Sequence, residues 1–240
     1  MLFNQHEFDI RFEWGEHGVA ELAPVSQAVV IVDVLSFSTS VDIAVQRGAI
    51  IFPYRGTDAG ATEFAESLGA KLAIPFGARG DYSLSPESLV QIQPGTRLVL
   101  PSPNGSTLSL AARLAPVIAG CLRNARAVAS AAARYGPKIA VIAAGERWQD
   151  DRSLRPSFED LVGAGAIIQY LKGSLSPEAA SAVVVFREAR SSLFERLCQC
   201  SSGKELIERG FSEDVHLASE LNASDTVPVL VDDAFIDDSR

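Results

Sequence analysis

The chain has few of the residues that build metal cages or disulfide frameworks. Of its 240 residues, three are cysteine (Cys121, Cys198, Cys200) and three are histidine (His6, His17, His216). Three scattered thiols do not make a disulfide framework, so a reducing cytoplasm is the expected compartment. Cys198 and Cys200 share one helical pattern without a second pair, and the histidines show no ligand spacing, so no zinc site is expected. Basic residues are also short: 21 Lys and Arg against 30 Asp and Glu leave a formal net charge of −9. Nucleic acid needs a basic face, so it is not an expected partner, although a local anion pocket is compatible with an acidic average. No run of eighteen apolar residues occurs, which argues against a membrane span. The opening MLFNQHEFDIRFEWGEHG carries acids throughout and lacks the basic-then-apolar order of a secretion signal.

What is present is an alternation of apolar runs and helical patterns. Hydrophobic residues make up 47% of the chain, an ordinary share for a globular protein, and its length allows a sizeable core. The expected organisation is one domain over residues 1–240, or two fused α/β lobes. Runs at 27–34, 49–54, 70–74, 97–101, 116–119, 138–144 and 227–231 read as strands. Most lack polar alternation, as in a sheet covered by helices on both faces. Ser85-Pro86 and Ser176-Pro177 place a hydroxyl at the N-cap and proline at the first helical position. Thr39 with Asp42 and Ser157 with Asp160 have capping-box spacing. Thr57 is a further cap, and Gly48 and Gly69 fit helix stops. The last third is mostly helical, with one long helix expected from about 177 to 199, while the pattern leaves the ordering of IDDSR after Phe235 open. The fold class read from this order is α/β, in three α/β/α layers with a largely buried mixed sheet. A shift of 68 residues aligns VDVLSFSTSVDIAVQRGA with LPSPNGSTLSLAARLAPV. Internal duplication and the common pattern of βα units explain that echo equally well.

Ligands of open α/β sheets collect beyond the carboxyl ends of the strands. Four polar clusters fall there: Asp33 with Ser36, Ser38 and Thr39; SPNGST at 102–107; Arg123-Asn124; and AAGERW at 143–148, followed by SFED at 157–160. Each has a plain structural explanation. Ser38, Thr39 and Ser106 can cap helices, Asn104-Gly105 is a common turn, and Glu159 and Asp160 suit the positive end of a helix. Asp33 stands apart, because an ionised carboxylate ending a buried run needs a cation or several donors. Together the clusters read differently. Hydroxyls and N–H groups at helix starts cradle an oxyanion, and carboxylates from two strand ends are hard ligands for Mg2+. Magnesium-assisted phosphoryl transfer uses both. No GxxxxGK[ST] loop, no Gly-rich dinucleotide fingerprint and no G-x-S-x-G elbow occurs.

VIVDVLSFSTS, SLSPESL, PNGST, CLRNARAVA, the AAG of 143–145, FEDLVGAGAIIQYL and RGFSEDVHLA follow one another along the chain. This order resembles the 2-phosphosulfolactate phosphatases, the ComB family, through most of the sequence. The resemblance implies an α/β/α fold of its own and Mg2+-dependent hydrolysis of (2R)-2-phospho-3-sulfolactate to 3-sulfolactate and phosphate, a step toward coenzyme M. Carried over by position, it implies Asp33, Glu159 and Asp160 as catalytic acids and metal ligands, with Asp33 either ligand or nucleophile. Ser36, Ser38, Thr39, Asn104, Gly105, Ser106 and Asn124 would surround the substrate.

Two departures bear on the substrate. The family usually carries Arg after Asp-Val-Leu, where this chain has Ser36, and often another soon after Asn-Gly-Thr, where Thr107 and Leu108 stand. Arginine is the natural fork for phosphate or sulfonate. Arg147, leaving a strand end near the acids, is the preferred substitute over Arg55, Arg123 and Arg126. Three readings result: the named phosphatase, a phosphatase of another small phospho-hydroxy acid, and an anionic-metabolite-binding protein without turnover. The carboxylates argue against the third, since an anion binder gains nothing from them unless a cation sits between. Apolar helical faces such as AASAVVVF serve a core or a homo-oligomer contact equally well.

Overall fold

A computed structural model describes residues 3–56, 60–75 and 80–238. The cap expected at Thr57 lies outside these residues. Every one of the seven apolar runs forms a strand. The first half of the chain contains β1 (Ile10–Trp14), α1 (Gly15–Leu22), β2 (Ala28–Val32), α2 (Phe37–Gln46), β3 (Ile50–Tyr54), α3 (Gly60–Ser67), β4 (Lys71–Leu72) and α4 (Pro86–Leu89). There follow β5 (Arg97–Pro101), α5 (Gly105–Ala111), β6 (Val117–Gly120), α6 (Ala125–Tyr135), β7 (Ile139–Ala143) and the short β8 (Glu146–Arg147) and β9 (Leu154–Arg155). The remainder is α7 (Phe158–Ile168), α8 (Pro177–Ala189), α9 (Leu193–Gln199), α10 (Ser201–Glu208), α11 (Ser212–Ser219), β10 (Pro228–Val231) and β11 (Ala234–Asp237). No helix among the described residues is long and apolar enough to cross a membrane.

The nine-stranded mixed sheet has the order β1-β7-β2-β6-β10-β11-β3-β5-β4, and β8 and β9 form a separate ribbon. Helices flank both faces. Val30 and Val32 pack with α6, α7 and α8, whereas Val29 and Ile31 pack with α1, α2 and α5. With neither face wet, such strands need no polar alternation, which is why they stand out in the sequence.

β1, β7, β2 and β6 run parallel to one another, as do β3, β5 and β4. The β10–β11 hairpin joins the two blocks through three antiparallel pairings. Along the sheet, β5 therefore runs opposite to β2. Their carboxyl ends meet all the same: the Gly105 N–H, after β5, donates to Asp33, after β2, at 2.9 Å. Twist accounts for this. Over the steps from β2 to β5, at roughly 20–25° each, the strand direction turns by roughly 100–125°. The sheet so curled encloses α2, where Phe37 through Val45 are all buried.

The structure decides several local points. The tail after Phe235 is ordered through Asp237, because it pairs with β10 and because Asp237 accepts the Val227 N–H at 3.0 Å. The helix expected over 177–199 is interrupted by a 3-10 turn at Arg190–Ser192, where two serines weaken helix propensity. Ser176 does cap α8, accepting the Ala179 N–H at 3.1 Å, and Gly48 ends α2 with φ +82°. The Thr39–Asp42 capping box does not form. The helix begins earlier, at Phe37, so both side chains point into the core, Thr39 donating to Val34 O (2.8 Å) and Asp42 accepting from Arg123 Nε (2.9 Å).

Candidate active site

β2 and β7 pair in register from Ala28 with Ile139 to Val32 with Ala143. The chain consequently leaves both strands at one level, Asp33–Val34 beside Ala144–Gly145. The start of α7 ties these two exits together. Asp160 Oδ1 accepts the Val34 N–H at 2.7 Å, and Oδ2 accepts the Gly145 N–H at 2.8 Å and the Ser157 hydroxyl at 2.9 Å. The Ser157–Asp160 spacing thus produces a side-chain bond, with no side-chain cap on the helix backbone. Asp33 makes a second tie, across the curled sheet. Its Oδ1 accepts the Phe37 N–H at 3.2 Å and its Oδ2 the Gly105 N–H. Glycine is required at 105, because a Cβ there would overlap the Phe37 ring and stand 2.8 Å from Asp33 Oδ2.

Four carboxylates crowd this place. Asp33, Glu159 and Asp160 are buried and Glu146 is half-buried. Burial pushes Asp33 up to about 6, helped by the charge of Glu159 and opposed by the Phe37 and Gly105 N–H groups. Burial also raises Asp160 well above the usual range, with Asp33 and Glu159 adding repulsion. Glu146 is pushed up to about 7, again by burial first and then by Asp33 and Glu159, while Arg155 and Asn104 pull it down. Like charges held this close ask for protons or a cation.

A cavity of about 220 Å³ opens onto the cluster. Asp33, Ser36, Asn104 and Glu146 line one side; Ser202, Glu205, Leu206 and Arg209, in and just after α10, line another. A second cavity of about 380 Å³ is lined by Arg155, Glu159, Arg196 and Cys200, among others. Arg155 Nη2 donates to Ser202 Oγ at 3.3 Å, so the two cavities share a wall.

The structure brings together Asp33, Glu159 and Asp160, with Ser36 and Asn104 at the cavity; Asn104 Nδ2 donates to Glu146 Oε2 at 3.1 Å. The other expected substrate contacts are engaged elsewhere. Ser38 Oγ donates to Ile31 O and accepts the Asp33 N–H, both at 3.1 Å. Thr39 is bonded to Val34 O, and Ser106 donates to Leu100 O at 3.0 Å. Gly105 offers its N–H to Asp33, as described. Asn124 Oδ1 accepts the Cys121 N–H at 2.9 Å, holding the turn before α6. These groups brace the turns, as buried polar atoms must be paired.

Arg147 points away from the cavity. Its Nη2 donates to Glu16 Oε1 at 2.6 Å, and it does not line the cavity. Its neighbour Glu146, which no sequence motif marked, lines the cavity instead. In the β8–β9 ribbon Glu146 pairs with Arg155 and Arg147 with Leu154, and successive side chains of a strand point to opposite faces. Two-residue strands leave too little periodicity for that choice to be read from GERW. The α10 wall was also missed, since nothing in its amphipathic pattern marks it as facing Asp33.

A family model described as 2-phosphosulpholactate phosphatase matches residues 18–233. A probable 2-phosphosulfolactate phosphatase of Carboxydothermus hydrogenoformans is 32% identical over 213 residues, covering 84% of this chain and 85% of the relative. The 2-phosphosulfolactate phosphatase of Methanothermobacter thermautotrophicus is 28% identical, covering 85% and 86%. A probable 2-phosphosulfolactate phosphatase of Pseudothermotoga lettingae is 27% identical, covering 89% and 94%. With its matched span taking in Asp33, Asn104, Glu146 and Asp160, the chain belongs to the 2-phosphosulfolactate phosphatase family, a family of phosphoric monoester hydrolases.

Proposed function

We infer that the protein is a Mg2+-dependent phosphatase acting on (2R)-2-phospho-3-sulfolactate. The observation that carries the reading is the group of mutually repelling carboxylates at the joined ends of β2 and β7, beside a cavity of about 220 Å³. The donor set suits the ion. Asp160 has both oxygens engaged by Val34, Gly145 and Ser157, so its part is to position the two strand ends. Asp33, Glu146 and Glu159 are hard oxygen donors whose repulsion a divalent cation relieves. Among the described residues no three His, Cys, Asp or Glu form a ready metal-binding group. Mg2+ commonly takes one or two carboxylates and completes its shell with water and phosphate oxygens.

When bound, Mg2+ neutralises charge on the phosphate and orients it for attack. The chain's own residues supply the rest. The Phe37 and Gly105 N–H groups hold Asp33 in one orientation, and Asn104 holds Glu146. Leu35, Leu84 and Leu206 give the cavity an apolar side that limits water. A water oxygen forms the new bond to phosphorus as the bond to the substrate's C2 oxygen breaks, and that oxygen takes up a proton to become the hydroxyl of sulfolactate. Ser36, at the cavity where the resembled family usually has arginine, favours a second reading, in which another small phospho-hydroxy acid is the better substrate.

Phosphate release from racemic phosphosulfolactate, with Mg2+ and with EDTA, tests the reading on wild type and Asp33→Asn. Release should need the metal and fall by roughly 100-fold or more in the variant. Undiminished turnover in EDTA, or in a folded Asp33→Asn protein, sinks it. A panel of phosphorylated 2-hydroxy acids run alongside ranks the second reading against the first.

A further inference from the structure

Ser85 stands at the start of α4, but its side chain does not cap that helix. Its hydroxyl donates instead to Asp214 Oδ1 at 2.7 Å, and the same oxygen accepts the Glu87 N–H at 2.9 Å. An N-cap side chain ordinarily accepts the N–H two or three positions on, so a carboxylate from α11 does for α4 what Ser85 does not. Asp214 is fully buried, and its Oδ2 has no hydrogen-bond partner among the described residues. Burying a carboxylate carries a desolvation cost, and the two bonds that offset it here both join α11 to α4.

Each end of this tie leads to the first cavity. On the α4 side, Leu84 lines the cavity next to Ser85 in the chain, and its carbonyl accepts the Ser40 hydroxyl of α2 at 2.7 Å. On the α11 side, α10 brings Ser202, Glu205 and Leu206 into the lining. The turn between α10 and α11 is closed. The Phe211 N–H donates to Leu206 O at 2.8 Å and the Gly210 N–H to Ile207 O at 3.0 Å, with Gly210 at φ +89°. This is the bonding of a helix that ends on a left-handed glycine, and it leaves little play between the two helices. The far end of α11 is pinned separately: Arg123 donates to Leu217 O and Glu220 from Nη1 and to Asp42 from Nε. Loss of the Asp214 bonds therefore frees the end of α11 that is joined to α10.

We propose that Asp214 is a positioning residue for the reaction: by clasping α11 to the start of α4 it sets the separation of Leu84 from α10, and with it the width of the cavity that receives the substrate. Asp214 does not line the cavity itself and acts through Leu84 and Leu206, which do. Asp33 and Asp160 are held by bonds of their own, so the clasp governs binding and leaves the chemical step alone. The assignment rests on the phosphatase reading for its substrate.

Two measurements test it, each on wild type, Asp214→Asn, Asp214→Ala and Ser85→Ala. The first is steady-state kinetics on phosphosulfolactate beside thermal melting. The asparagine oxygen can accept both bonds, while its amide buries an unsatisfied donor where Oδ2 lay. Asp214→Asn should therefore melt below wild type yet keep its KM. Asp214→Ala leaves the Ser85 hydroxyl and the Glu87 N–H unpaired, and KM should rise roughly 3–30-fold with kcat within about 2-fold, as when binding is lost equally in the ground and transition states. Ser85→Ala keeps the Glu87 bond and should raise KM less; it carries the test if Asp214→Ala does not fold. A KM raised as much by Asp214→Asn as by Asp214→Ala, a KM unchanged throughout, or a loss confined to kcat overturns the assignment. The second measurement is amide hydrogen exchange, which needs no turnover. In Asp214→Ala, amides of 83–88 and of α10 should exchange roughly 10-fold faster than in wild type, with β2 and β7 unchanged. That result from a protein whose wild type hydrolyses no phosphate ester sinks the phosphatase reading and leaves the clasp standing. Unchanged exchange in α10 overturns the clasp itself.

Discussion

On one side of the first cavity, Asp33 and Asp160 between them accept N–H or O–H groups from Phe37, Gly105, Val34, Gly145 and Ser157. Around it lie shorter and more open elements: Glu205 and Arg209, in and just after α10, are exposed, and Glu146 is half-buried on a ribbon of two-residue strands. The first region is a floor in which two carboxylates fix three strand exits, and moving one atom disturbs several bonds. The second is a wall of charges on short elements, where a side chain can change without unsettling the sheet. Under the proposed function, the groups whose placement must be fixed belong to the floor and those that can vary with the substrate belong to the wall.

The largest test of this contrast is Gly105→Ala. The added methyl overlaps Phe37 and crowds Asp33, so one of them has to shift, at a cost of about 1–3 kcal/mol for overpacking. Phosphate release should fall by roughly 100-fold, the usual result of misplacing a reacting group by about 1 Å. A fully active Gly105→Ala enzyme breaks the idea of a fixed floor.

Next in size is Ser38→Ala, which removes the hydroxyl joining Ile31 O to the Asp33 N–H. Leaving those buried groups unpaired should cost roughly 1–3 kcal/mol and lower Tm by roughly 2–10 °C, with KM almost unchanged. A raised KM at constant Tm puts the hydroxyl on the substrate instead.

Glu146 sharpens the comparison through pH. Its pKa is about 7 in the fold against an ordinary 4.5, so the folded protein holds a proton that the unfolded chain releases. Stability from this group is complete below about 4.5 and is lost as pH rises through about 7. Glu146→Gln abolishes the loss. At about pH 8 the variant should therefore melt above wild type, by an amount worth about 1–3 kcal/mol. The gap should close at about pH 5 and narrow when Mg2+ is added at the higher pH; a gap independent of pH contradicts the raised pKa.

The smallest effect belongs to Arg147→Ala. A surface pair with Glu16 is worth about 0–1 kcal/mol, and turnover and KM on phosphosulfolactate should match wild type. A clear rise in KM puts an anionic group of the substrate on Arg147 instead.

The strands of the sheet centre were readable because burial on both faces removes the polar alternation that blurs other strands. IRFEW of β1 lacks that mark, since it carries charges and lies at the sheet's edge beside β7. β11 is a strand because β10 and β3 are there to pair with it, and partners far apart in sequence leave no local signal. Asp33 was readable for a physical reason also: a carboxylate closing an apolar run has to be held by something. Ser38, Thr39, Ser106 and Asn124 were readable as polar residues at strand ends but not in their roles. The same hydroxyl or amide can meet a phosphate or a backbone carbonyl, and only the distances decide.

By itself the sequence determined the α/β class, the position of Asp33 and Asp160 at strand and helix ends, and, through the order of its motifs, the family. These depend on local patterns of burial, turn and cap that act within a few residues. The curl that brings β5 to β2, the choice of Glu146 over Arg147 and the approach of Arg155 and α10 were decided only by the tertiary structure. Each depends on twist accumulated across the sheet or on the parity of a short strand, and those quantities exist only once distant parts of the chain have packed.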